Sequence, residues 1–176
     1  TTAQAAAMIN GATGHALDFD DTNIVMGGHP SVPVVPAVWA MSEEMGATGE
    51  QLLTAMIVGL EVECRLGKLI GGQHYARGWH VTSTMGVFGA CAGVSYLLKL
   101  SEEEFGHAFG LAASQASGLK ANFGTMTKPF HAGHAAERGL ISARLAKRGF
   151  TSNAEAFECN QDAGCLRQWR KAGTAG

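Results

Sequence analysis

An all-α fold, a bundle-like domain of six to seven helices, is what this sequence predicts, on three observations. No stretch keeps the strict polar–apolar alternation of a strand over a useful length. Apolar residues recur instead at helical spacing, as in Val34, Val38, Met41 and Met45. Two helix starts carry the capping-box pattern, Thr48-Gly-Glu-Gln51 and Ser101-Glu-Glu-Glu104.

The 176 residues suffice for one ordinary domain with a real core. Hydrophobic residues make up 46% and charged residues 16%, a balance that argues against disorder. A formal net charge of -2 provides no field for nucleic acid, so an anionic ligand has to be held by local cations. No apolar run is long enough to span a bilayer, and no charged-then-apolar leader opens the chain. Neither a nucleic acid nor a membrane is expected as partner, and the cytoplasm is the expected location. Cys64 and Cys91 fall in apolar helical patterns, where a buried free thiol is usual. Cys159 and Cys165 lack the spacing of a zinc site. The chain opens at Thr1 already inside a helical pattern and reads as part of a longer protein.

In chain order, residues 1 to about 22 are Ala-rich and read as the first helix, with Gly11 and Gly14 permitting a close crossing. A loop follows to Pro30 and Pro33. The second helix, through Val34 to Met45, has Pro36 in its first turn and is closed by Gly46. The Thr48 box opens a long third helix with Leu52, Leu53, Met56, Leu60 and Leu66 inward, stopped by Gly71-Gly72. Glu61 and Arg65 form an i, i+4 pair on it. Residues 74–84, HYARGWHVTST, read as a loop with Thr82 or Ser83 capping the fourth helix. Gly86, Gly89 and Gly93 weaken that helix unless a neighbouring backbone packs close to it. The Ser101 box opens a fifth helix, through Phe105 and Phe109 to about Ser117. Residues 118–133 break the pattern with glycines and a proline. The sixth helix carries Ala135, Ala136, Leu140 and Ala143 and ends at Lys147-Arg148-Gly149. Phe150-Thr151 begins a short further helix. Residues 1–158 form the helical domain on this reading, and residues 159–176 a poorly ordered tail.

The connections alternate in kind. Those at Ala47-Thr48 and Ser101 are short and capped. Those at residues 19–32, 72–82 and 118–130 are longer, glycine-rich and supplied with His or Lys. Successive antiparallel helices put the two kinds at opposite ends. His29, His80 and Lys128 then gather beside Asp18 and Thr22. His15, Asp18 and Thr22 share one face if the first helix runs through them, and His29 sits on a glycine-flanked turn able to fold over that face. His80 alone would read as a helix-cap histidine, and Lys128 alone as a solvated loop lysine; the constellation outranks its parts. His15, His74, His107 and His134 read as surface or core histidines. A lysine and imidazoles on a chain of negative net charge point to a carboxylate-bearing ligand. Asp18, Asp20 and Asp21 offer a competing Mg2+ reading, ranked lower for want of a second acidic motif.

The motifs NGATGHALDFDDT from Asn10 to Thr22, HPS at His29, GWHVTST at Gly78 and GTMTKPFHAGHAA at Gly124 resemble, in that order, those of the MmgE/PrpD family. The resemblance covers residues from about Ala7 to Phe157. It implies an all-helical domain joined to a smaller α+β lid domain that no segment here matches, usually assembled as a homodimer. The implied activities are dehydration of 2-methylcitrate, decarboxylation of cis-aconitate and epimerisation of iminodisuccinate. By motif match the family's active-site residues fall on Asp18, Thr22, His29, His80 and Lys128.

The leading expectation is therefore a lyase-type domain acting on a small di- or tricarboxylate without metal or organic cofactor. Lys128 and an imidazole such as His80 would bind carboxylates, and Asp18 or His80 would move the proton α to one of them. His29 would be the acid or base partner and Thr22 would orient the substrate. The alternative from another class is a non-catalytic helical or dimerisation module that keeps these residues by descent.

Overall fold

The computed structural model describes residues 1–70 and 72–156. Among them are seven α-helices: α1 (Ala3–Gly14), α2 (Ser31–Met45), α3 (Gly49–Ile70), α4 (Gly72–Ala76), α5 (Val81–Leu97), α6 (Glu102–Ala113) and α7 (Thr127–Lys147). A single 3-10 turn, Lys120–Asn122, precedes α7. No strand occurs among the described residues, and the two isolated β-bridges, Asn23 with Gly28 and Trp79 with Leu119, both lie in loops. The all-α class holds. Among the described residues, no helix is long and apolar enough to cross a membrane. The proposed boundary at residue 158, the tail beyond it, Gly71, Cys159 and Cys165 lie outside the described residues.

Helix α5 is the axis of the molecule. Every residue in it except Tyr96 is buried, so it has no polar face and must be enclosed on all sides. Its glycines make that possible. A Cβ on Gly93 would stand 2.6 Å from Val38 Cγ2 of α2 and 2.8 Å from the Ala55 carbonyl of α3. From the other side, a Cβ on Gly139 of α7 would stand 2.6 Å from the Cys91 amide. Backbone therefore meets backbone across the core, and the helix-propensity cost of glycine is offset by packing density.

Both capping boxes are formed. Gln51 N donates to Thr48 Oγ1 at 3.2 Å while Thr48 N donates to Gln51 Oε1 at 2.9 Å. Ser101 and Glu104 make the same reciprocal pair at the start of α6. Gly46 closes α2 in the left-handed region, at φ 66. The Glu61–Arg65 pair is present and exposed.

Seven local expectations are corrected. Helix α1 ends at Gly14, not near residue 22, and the chain then turns through Asp18 at φ 59. Helix α3 buries Ala55, Gly59, Glu63, Leu66, Gly67 and Ile70, while Leu53 is exposed and Leu52, Met56 and Leu60 are only half-buried. At Ala55 and Gly59 small residues win the inner face because α5 approaches too closely for leucine: a Cβ on Gly59 would stand 2.7 Å from the Gly89 carbonyl. Residues 72–76 form the short α4 within the expected loop. His80, not Thr82 or Ser83, occupies the N-cap position of α5, without a side-chain cap bond. Helix α7 begins at Thr127, because Pro129 lies in its first turn, where a missing N–H costs nothing. At the other margins α6 stops at Ala113, and residues 150–156 form no helix.

The long helices carry the loops to two ends. Lys147, at the end of α7, donates to the Lys99 carbonyl and pairs with Glu104, so the ends of α5 and α7 and the start of α6 share one pole. Met45, Gly46 and Gln51 line a recess with Leu97 and Lys99, which places the Thr48 turn there too. The 17 residues of α5 separate that pole from His80 by roughly 25 Å at 1.5 Å per residue.

Candidate active site

The segment between α1 and α2 is held by short-range bonds of its own. Asn23 N donates to the Gly28 carbonyl at 2.9 Å, Met26 N to Asn23 Oδ1 at 2.9 Å, and Gly27 takes φ 80 to close the turn. Met26 is buried as its anchor, packed where Gly67 of α3 leaves room. His29 N donates to Thr82 Oγ1 at 3.1 Å, which ties the turn to the first residues of α5. Asp21 accepts from Ser31 N at 3.1 Å and Ser31 Oγ at 2.7 Å and so secures the start of α2. Of the acidic run, only Asp18 and Asp20 face the imidazoles.

The remaining walls come from two loops that pair with each other. His80 N donates to the Gly118 carbonyl at 3.0 Å and Lys120 N to the Gly78 carbonyl at 2.8 Å. That places His80 beside Phe123, with ring centroids 4.8 Å apart and edge to face. Lys128, in the first turn of α7, reaches back to Asp18 and lies 5.5 Å from the Phe123 ring centre.

Asp18, Thr22, His29, His80 and Lys128 all line one open cavity of about 430 Å³, with Tyr75, Thr82 and Phe123 among the other walls. The expected set is brought together, but not by a helix face. Asp18 and Thr22 stand beyond the end of α1, and the positive φ of Asp18 is what turns its carboxylate toward His29 and Lys128.

His15, read as a surface or core histidine, is buried and also belongs to this cluster. Its buried ring donates from Nδ1 to Asp20 at 2.8 Å, lies edge-on to His29 at 4.7 Å and stacks on His80 at 5.8 Å. His29 in turn stands 3.3 Å from Asp20 and 3.7 Å from Asp18. His131 was missed as well: its Nδ1 lies 3.1 Å from His80 Nδ1, both rings buried. Its signal was the i, i+3 spacing from Lys128, visible only once α7 is started at Thr127.

The charges follow from burial and pairing. Hydrogen bonding to Lys128 holds the Asp18 carboxyl below its ordinary range. Burial lowers His15 and His131, and lowers His80 to about 3. His15, His80 and His131 are therefore neutral near pH 7, leaving the Lys128 ammonium as the fixed cation of the cavity. Donor atoms of His15, Asp18, Asp20 and His29 lie within 4.8 Å of one another, close enough to share a cation. Both Asp18 oxygens already accept from Lys128, and Asp20 accepts from His15. Asp21, bound to Ser31, is not part of that group.

The family model for the MmgE/PrpD N-terminal domain matches residues 1–172. The chain belongs to the MmgE/PrpD family. Within that family it is 35% identical over 164 residues to the human cis-aconitate decarboxylase, covering 87% of this chain and 33% of that protein. It is 37% identical over 153 residues to the cis-aconitate decarboxylase of Aspergillus terreus, covering 83% of this chain and 31% of the relative. A cis-aconitate decarboxylase-like protein of Aspergillus oryzae is 33% identical over 164 residues. The chain thus spans about a third of the length of these relatives. This stretch of MmgE/PrpD sequence carries a cluster of one lysine, two aspartates and four imidazoles at one pole of its bundle.

Proposed function

We propose that this MmgE/PrpD domain supplies the proton-handling wall of a lyase-type site for a small di- or tricarboxylate, with cis-aconitate the first substrate to test. The observation that carries the reading is the meeting, in one cavity, of Lys128 and His29 with His80, an imidazole kept neutral by burial. Lys128 binds a substrate carboxylate by exchanging it for, or sharing it with, Asp18. Thr22 orients the ligand by hydrogen bonding. Asp18 or His80 moves the proton at the carbon α to a carboxylate, with His29 as acid or base partner. No step calls for a metal or organic cofactor.

Dehydration, decarboxylation and epimerisation all make or break a bond at such a carbon. In decarboxylation the C–C pair stays on the substrate as CO2 leaves and a proton then meets it. In the other two the C–H pair stays behind as the proton departs, then expels hydroxide, which leaves as water, in dehydration, or takes a proton back on the opposite face in epimerisation. The 35% and 37% identities to cis-aconitate decarboxylases favour decarboxylation. The test is incubation of this chain with cis-aconitate and with 2-methylcitrate, following CO2 release and substrate loss. Turnover of either supports the lyase reading and chooses the reaction. Saturable carboxylate binding without turnover would turn it into the non-catalytic module, and no binding would discard the carboxylate site.

A further inference from the structure

Behind the cavity wall the His80 and His131 rings meet nitrogen to nitrogen, Nδ1 to Nδ1 at 3.1 Å. Both side chains are buried, and 3.1 Å leaves no room for a water between the two nitrogens. Two neutral imidazoles can form it only with one Nδ1 protonated and the other bare. The backbone anchors the pair on both sides. His80 N donates to the Gly118 carbonyl at 3.0 Å, and Ser83 Oγ donates to the His131 carbonyl at 3.2 Å. Gly118, at φ 120, fills the corner between them; a Cβ there would stand 2.9 Å from Ser83 Cβ and 3.5 Å from His131 Cγ. With Nδ1 engaged, Nε2 is the nitrogen His80 has left for the cavity it lines.

We propose that His131 is the positioning residue for His80, sharing one proton with it between the two Nδ1 atoms, so that the neutral rings carry opposite tautomers. When that proton rests on His80, its Nε2 is bare and can accept a proton. When it rests on His131, His80 carries its proton on Nε2 and is an acid. A proton taken from a substrate carbon at His80 Nε2 is matched by passage of the Nδ1 proton to His131. His80 ends neutral, His131 carries the positive charge, and the C–H electron pair stays on the substrate. Proton delivery to a carbon that has lost CO2 is the same sequence reversed, starting from a pair that has first taken up one proton from solvent, and it returns both rings to neutral. The charge thereby sits one ring further from Lys128, which faces the pair from α7 with His134, while His15 and His29 face it from the α1–α2 segment. The catalytic consequence rests on the proposed function; the tautomer pairing does not.

Imidazole nitrogen NMR of the uniformly 15N-labelled chain near neutral pH tests the pairing without any turnover. The expected spectrum has one of the two rings protonated at Nδ1 and the other at Nε2. In His131→Phe, His80 should lose that constraint. Both rings protonated at Nε2 in the unaltered chain would overturn the proposal, whether or not the variant folds. Where the chain turns over a carboxylate, His131→Phe should lower kcat on the order of 10- to 100-fold, as loss of an orienting partner does for metal-bound histidines. KM should change little, the pH profile of kcat should move, and His131→Asn should recover part of the loss. An unmoved profile with equal losses in kcat and affinity would reduce His131 to packing. If the chain turns over nothing while the tautomers are opposite, the lyase reading fails and the pairing stands.

Discussion

Lys128 Nζ lies 2.5 Å from both carboxylate oxygens of Asp18, across 110 positions of sequence. The pair divides two recesses, since both residues line the His29–His80 cavity and a second one bounded by Leu17, Gly124 and Met126. The lysine is mostly covered and the aspartate half-exposed. An incoming carboxylate therefore meets a lysine already paired, and Asp18 is the group it has to displace or share with.

Lys128→Met should weaken binding of a carboxylate ligand by about 10- to 100-fold, the worth of one charged hydrogen bond. Binding of a neutral ester of the same acid should change far less. Calorimetric titration with both ligands makes the comparison, and equal losses would mean that the lysine only supports the fold. The same variant releases Asp18 from its partner, so the Asp18 carboxyl should titrate at higher pH than in the unaltered chain.

Prolonged chelation should leave carboxylate binding and any turnover unchanged. The converse result, activity lost to chelator and restored by Mg2+, would assign a cation to the cluster of His15, Asp18, Asp20 and His29.

Acid should destabilise the fold through its buried histidines. Burial lowers His80 to about 3 and His74, which bonds Thr84 Oγ1 at 2.8 Å, to about 4. Their folded values lie below the unfolded value of 6.5, so the unfolded chain binds protons first as pH falls. Stability should therefore decline from about pH 6.5 downward, toward the folded values. His74 alone contributes a loss of roughly 3 kcal/mol by the usual conversion of pKa to free energy. Denaturant melts at a series of pH values would show it, and a flat profile between those limits would contradict the neutral, buried state of both rings.

Glu63 provides the opposite slope. It is fully buried against Gly89, neither carboxylate oxygen has a hydrogen-bond partner, and burial, with Asp21 nearby, raises its pKa well above 4.5. Above that value the unfolded chain ionises first, so this carboxyl costs stability as pH rises toward its folded value. Glu63→Gln should raise the melting temperature at pH 7 and change it little at pH 4. A variant equally stable to the parent at both values would show that the carboxyl is satisfied within the fold.

Much of this protein was legible in its residues because the relevant physics is local. Caps at Thr48 and Ser101, the glycine stop at Gly46 and the apolar spacing of α2 act within a turn or two of the chain. The alternation of capped and glycine-rich connections also foreshadowed that Asp18, Thr22, His29, His80 and Lys128 share one pole, because antiparallel succession follows from short loops.

Tertiary structure decided what depends on partners far away in sequence. Helix α1 stops at Gly14 and Asp18 takes a left-handed φ in a structure where its carboxylate meets Lys128 across the bundle, a contact no local spacing encodes. His15 joins the site because its ring is buried between Asp20, His29 and His80, and His131 because α7 packs beside the start of α5. The inner face of α3 passes to Ala55, Gly59 and Glu63 because the closeness of α5, and not hydrophobicity, selects what fits there. Helical periodicity and caps are properties of neighbouring residues. A buried imidazole's partner, and so its charge, is a property of the packed whole.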